Sequence, residues 1–103
     1  MPNTYDMGDS VRLSAAFTDG GTATDPGTIL FRWKPPKSSA SLYTYGSDAA
    51  LVKASTGNYY VDLTIPGTAS SAGQWTYRFE GTGAVIAADE DRFYVEPSPF
   101  YTT

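Results

Sequence analysis

Between Ser71 and Glu80 the chain reads Ser-Ala-Gly-Gln-Trp-Thr-Tyr-Arg-Phe-Glu, so that Trp75, Tyr77 and Phe79 alternate with Thr76, Arg78 and Glu80. Successive side chains of a strand point to opposite faces, and this stretch predicts a strand with one aromatic face and one polar face. Three large rings on one face need a second layer to cover them. The remaining sequence is therefore searched for strands that supply that layer.

It contains them. Val11, Leu13, Ala15 and Phe17 alternate with Arg12, Ser14, Ala16 and Thr18, which predicts a half-buried strand closed by Asp19-Gly20-Gly21. Asp25-Pro26-Gly27 marks a turn before a strand with Ile29, Phe31 and Trp33 on one face and Arg32 and Lys34 on the other. Pro35-Pro36 stops it, because neither residue donates to a ladder. Short strands are expected at Leu42–Tyr45 and Leu51–Lys53. A longer one carries Tyr59, Val61, Leu63 and Ile65 inward. Trp75 and Trp33 are both expected in the core. Gly81-Thr82-Gly83 offers positive φ for a hairpin, after which Ala84–Ala88 returns. Asp89-Glu90-Asp91 reads as an interruption or bulge before Phe93 and Val95 resume the inward pattern. Residues 1–8 form a polar lead-in, 9–96 the strand-bearing domain, and 97–103 an extended tail held by Pro97 and Pro99. No long helix is expected.

A chain of 103 residues suits one domain with one core. Its 41% hydrophobic and 17% charged content is that of a globular chain, and 10 Gly with 7 Pro suit short strands and many turns. The absence of Cys and His excludes a disulfide framework and a Cys/His zinc site. It also excludes the usual nucleophile–base pairs, so no enzyme is expected. A net charge of −4 disfavours nucleic acid and acidic membrane surfaces as partners. The opening Met1-Pro2-Asn3-Thr4-Tyr5-Asp6 has neither a positive n-region nor an apolar run, and no signal peptide is expected.

The order of motifs resembles an immunoglobulin-like fold. Val11-Arg12-Leu13-Ser14-Ala15 resembles the V-x-L-x-C of its strand B, with Ala15 in the Cys place. Phe31-Arg32-Trp33 resembles strand C, and Leu63-Thr64-Ile65 resembles strand E. Ser71-Ala72-Gly73-Gln74-Trp75-Thr76-Tyr77 resembles the D-x-G-x-Y-x-C of strand F. Tyr77 stands in the second Cys place. Trp75 replaces the corner Tyr, offering a ring N–H in place of a hydroxyl. The expectation is an all-β, immunoglobulin-like sandwich of about seven antiparallel strands. From Gly57 through Gly73–Ala88 to Phe93-Tyr94-Val95, the second half is also similar to small Ig-like proteins of tailed bacteriophages. That resemblance implies a virion component made in the host cytoplasm: a capsid decoration, a head–tail joint or a tail protein. Its partners would be other virion proteins of the capsid, neck or tail, or identical copies.

Candidate functional residues follow from the strands. In such a sandwich Arg32, Lys34, Arg78, Glu80, Arg92, Tyr94 and Glu96 share one outer face. They form either a cross-strand charge ladder or an Arg- and Tyr-rich docking face. Phe100 and Tyr101 in the tail are a second docking candidate. Asp89, Glu90 and Asp91 are the densest acids, but neighbours on a strand point apart, so neither acid–base chemistry nor a loose calcium site is expected of them. No metal or cofactor is expected. The alternative reading is a carbohydrate- or cell-surface-binding module, with Tyr43, Tyr45 and Tyr60 stacking on sugar rings.

Overall fold

The computed structural model describes residues 4–100. It is all-β, with no α-helix among the described residues and one short 3-10 turn at Ala69–Ser71. Seven strands of four or more residues carry the fold: β2 (Ser10–Ala16), β5 (Thr28–Lys34), β6 (Ser41–Thr44), β7 (Leu51–Ser55), β8 (Asn58–Thr64), β9 (Gly73–Thr82) and β10 (Ala87–Val95). Three two-residue strands accompany them: β1 (Thr4–Tyr5), β3 (Thr18–Asp19) and β4 (Thr22–Ala23). One sheet runs β1-β10-β9-β5-β6, a second runs β2-β8-β7, and β3 pairs with β4 alone. The inward faces of both large sheets supply the core, an arrangement consistent with a β-sandwich.

Alternation explains which residues meet there. Val11 and Leu13 from β2, Tyr59, Val61 and Leu63 from β8, Ile29 and Phe31 from β5, and Trp75 and Phe79 from β9 are all buried. Phe31 and Phe79 are Cα partners with ring centroids 4.7 Å apart, so β5 and β9 share one aromatic seam. Trp75 stacks on Phe93 of β10 at 5.5 Å, and its Nε1–H donates to the Ser71 carbonyl at 2.9 Å. A buried indole N–H left without an acceptor would be costly. The 3-10 turn supplies that acceptor.

The structure departs from the sequence reading in several places. Residues 1–8 do not all lie outside the strands. Thr4–Tyr5 pairs with Tyr94–Val95, and it does so in parallel, so the pairing is not wholly antiparallel. Tyr5 packs edge-on against Phe93 at 5.4 Å, its carbonyl accepts from Glu96 N–H at 3.0 Å, and Met7 packs against the core. The pairing fixes the lead-in that the polar composition suggested was loose. Trp33 is half-buried rather than in the core, since β5 ends one residue later, before Pro35. The hairpin after β9 uses only Gly83 at positive φ, and the return begins at Ala87 rather than Ala84. Asp89-Glu90-Asp91 is no interruption: all three pair in unbroken register with Phe79, Arg78 and Tyr77. The tail is not extended throughout, because Phe100 N–H donates to Ser98 Oγ at 3.2 Å and the chain turns at Pro99–Phe100.

Asp25 closes one end of the fold. Its carboxylate accepts from Lys53 Nζ at 2.7 Å, Gly57 N–H at 2.8 Å and Tyr59 Oη at 2.8 Å. These donors hold the carboxyl well below its ordinary range, at about 2, with the Lys53 bond the largest cause. Burial, together with its own hydrogen bond to Asp25, pushes the Tyr59 hydroxyl up. A residue that the sequence presents as one member of an Asp-Pro-Gly turn thus ties the loop before β5 to β7 and β8.

Candidate functional site

The outer face of the five-stranded sheet is built by register. Arg32 on β5 lies opposite Arg78 on β9, which lies opposite Glu90 on β10. In the adjacent row Leu30, Glu80 and Ala88 are partners, and in the row on the other side so are Lys34, Thr76 and Arg92. Paired residues point to one face of a sheet, so these side chains share the solvent face.

Two arginines directly opposite each other repel. Glu80 resolves this: one carboxylate oxygen pairs with Arg32 and the other lies 3.5 Å from Arg78 Nε. Arg78 also reaches Glu90 at 3.4 Å. A charge ladder, one of the two readings of this face, therefore runs Arg32–Glu80–Arg78–Glu90, and among the described residues neither Arg92 nor Glu96 takes part in it. The sequence reading omitted Glu90, because the acidic triplet reads as an interruption or bulge of the strand. Counting back from Tyr94 in steps of two, through Arg92, would have placed it on this face.

The ladder does not use up the positive charge. Across these three rows four cations (Arg32, Lys34, Arg78 and Arg92) stand against two carboxylates (Glu80 and Glu90). Among the described residues neither Lys34 nor Arg92 is in an ion pair. A shallow groove of about 240 Å³ lies over the rows, lined in part by Arg32, Lys34, Thr76, Arg78 and Glu90. The face is thus locally positive on a chain whose net charge is −4. No family model and no curated protein matches the chain.

The other candidates are dispersed. Tyr94 is exposed on the same face but next to Thr4, a row beyond Arg92. Glu96 follows β10, where its backbone bonds to Tyr5. Phe100 is 87% exposed, an apolar ring offered to solvent. Tyr101 lies outside the described residues. Leu42, opposite Arg32 and also exposed, adds an apolar position that sequence reasoning missed.

The three tyrosines of the sugar-binding alternative do not gather. Tyr43 packs at a tilt against Trp33 at 4.5 Å and stacks on Phe31 at 6.4 Å, toward the core. Tyr45 packs edge-on against Tyr59 at 5.2 Å. Tyr60 lies under the Arg12 guanidinium at 3.9 Å, and Arg12 is itself held by Asp62 through two bonds of 2.8 and 3.0 Å. Each ring is engaged separately, and no shared platform results. Among the described residues no group of three or more acids is placed to hold a metal ion, and no helix is long and apolar enough to cross a membrane.

Proposed function

We propose that the chain is a noncatalytic, Ig-like docking domain that serves as a structural component of a tailed-phage virion. The observation that carries the docking role is the locally positive outer face, where Lys34 and Arg92 flank Thr76 and, among the described residues, neither is in an ion pair. Charged faces of this kind steer and orient a complementary partner more than they add affinity. Phe100 supplies an exposed apolar ring close to the same sheet's last strand, of the type that anchors interfaces.

The Ig-like part of the reading has three supports. The strand order corresponds to A′-G-F-C-C′ over B-E-D, with β1 parallel to β10 as A′ is to G. The hairpin β3–β4 sits in the B–C connection. Trp75 makes a bond to the backbone four residues upstream, as a corner tyrosine would. The virion part rests on the resemblance of the second half to small phage Ig-like proteins. Its partners would be capsid, neck or tail proteins, or identical copies.

A truncation ending at Glu96 tests the role of the tail. The truncated chain should keep its melting temperature and fail to enter particles. Incorporation at normal copy number would refute a docking role for Phe100 and its neighbours. Reversing Lys34 and Arg92 to Glu in the full chain makes the corresponding test of the face.

A further inference from the structure

The two large sheets leave one side of the molecule open, between β2 and β10. β2 ends its sheet, and among the described residues only Tyr94 and Val95 of β10 have a partner on the outer edge, in β1. The stretch from Ala87 to Arg92 is paired with β9 alone. The direction of its backbone groups can be read from two bonds. Glu96 N–H donates outward to Tyr5, and Arg92 N–H donates to the carboxylate of Asp91 rather than to β9. Backbone groups alternate with period two along a strand. Ala88 and Glu90 therefore also present N–H and C=O to the open edge.

The side chains beside that edge are unusual. Asp89 and Asp91 are partners of Phe79 and Tyr77 and so point to the core side of β10. Neither is in an ion pair among the described residues. Burial pushes the Tyr77 hydroxyl up, and the nearby charges of Asp91 and Asp89 add to it. A groove of about 590 Å³ crosses the second sheet over Arg12, Ser14, Ala16, Asn58 and Tyr60 and reaches Asp89 of β10. Ile86, 84% exposed, stands at the head of the edge. Inward acids discourage casual edge-to-edge association, since a neutral strand would bury their charge. A strand that brings cations to the same positions removes that penalty.

We propose that the outer edge of β10 from Ala87 to Arg92 is a strand-addition site for an extended, basic segment of a different protein. Its main chain bonds to Ala88 and Glu90, and alternate Lys or Arg side chains meet Asp89 and Asp91. Its remaining residues lie along the small side chains of β2. The tail of a second copy is not the occupant, because residues 97–103 contain no Lys or Arg. The inference rests on the docking reading only in that both require a partner. Its test uses the isolated full chain, so its failure is distinct from a failure to enter particles.

The probe is a blocked heptapeptide alternating Thr and Lys, with a Thr and Glu counterpart as control. Binding is followed by Trp fluorescence and by hydrogen exchange at single amides. The Lys peptide should bind and slow exchange at Ala88 and Glu90, and the Glu peptide should not. Asp89→Asn with Asp91→Asn should weaken binding by about tenfold or more. Ala88→Pro deletes an edge N–H without touching the β9 ladder and should abolish binding. A Lys peptide methylated on its backbone nitrogens makes the same test with the protein unaltered. The proposal is overturned if the Lys peptide fails to bind at about 1 mM, if the Glu or methylated peptide binds equally well, or if protection falls elsewhere. Concentration-dependent self-association that protects Ala88 and Glu90 without peptide would also overturn it, by making a second copy the occupant.

Discussion

Replacing Trp75 by Phe isolates one bond at the centre of the aromatic seam. The ring stays apolar and still faces Phe93, but the Nε1–H that reaches the Ser71 carbonyl at 2.9 Å is gone. Trp75 is only 4% exposed, so little water reaches the site. A buried acceptor stripped of its donor costs ~1–3 kcal/mol. The smaller ring adds part of a cavity term, well short of the ~3–5 kcal/mol expected for Trp75→Ala. In a domain of this size each kcal/mol moves the melting temperature by roughly 4–8 °C, so a fall of roughly 5–25 °C is expected for Trp75→Phe. Trp33→Phe is the internal control. Trp33 is half-buried, and its ring N–H makes no bond among the described residues, so its loss should be clearly smaller. Thermal melts followed by circular dichroism, with urea titrations alongside, compare the two. Equal costs for Trp75→Phe and Trp33→Phe would refute the argument that the Ser71 bond holds the entry to β9.

Other consequences are equally direct. The Asp25 carboxyl is held down to about 2 from 3.8, so its contribution is complete above its unfolded value and lost as pH falls through the folded one. The melting temperature should drop between about pH 4 and pH 2, and Asp25→Asn should flatten that part of the profile. Gly57 has φ +77, and a Cβ there would lie 2.6 Å from the Phe17 carbonyl oxygen. Gly57→Ala should therefore cost at least ~1–3 kcal/mol by urea titration, and an unchanged midpoint would contradict the geometry. Glu80→Gln removes the carboxylate shared by Arg32 and Arg78 and leaves only Glu90 beside Arg78. A loss of ~0.2–1 kcal/mol is expected, shrinking at high salt, because the site is partly solvated.

Much of this fold is legible because period-two alternation is strong where rings and β-branched residues supply it. Trp75, Phe79, Tyr59, Val61, Leu63, Ile29 and Phe31 all fall on the buried side as the pattern predicts. Depth is less legible than side: Trp33 faces inward yet sits at a strand end, where the cover runs out. β1 escapes detection because two residues carry no period, and only the distant Tyr94–Val95 stretch makes Thr4–Tyr5 a strand. The acidic triplet misleads for a different reason. Three successive acids have poor strand propensity. Here Glu90 gains Arg78 across the ladder, while Asp89 and Asp91 lie at the uncovered margin. Asp25 is the largest omission, since its donors come from residues 53, 57 and 59, beyond the reach of any local pattern. For the site, the Arg32, Arg78 and Glu80 grouping is readable from strand faces alone. The free charge of Lys34 and Arg92 emerges only once register assigns Glu80 and Glu90 elsewhere.

The central proposal is that this chain works by taking a fixed place in a particle. Quantitative mass spectrometry of purified virions, calibrated with isotope-labelled peptides of this chain and of the major capsid protein, measures that directly. The account predicts a constant number of copies per particle that survives washing in high salt. A chain found only in the unassembled fraction of the lysate, or at a copy number that varies between preparations, would contradict it.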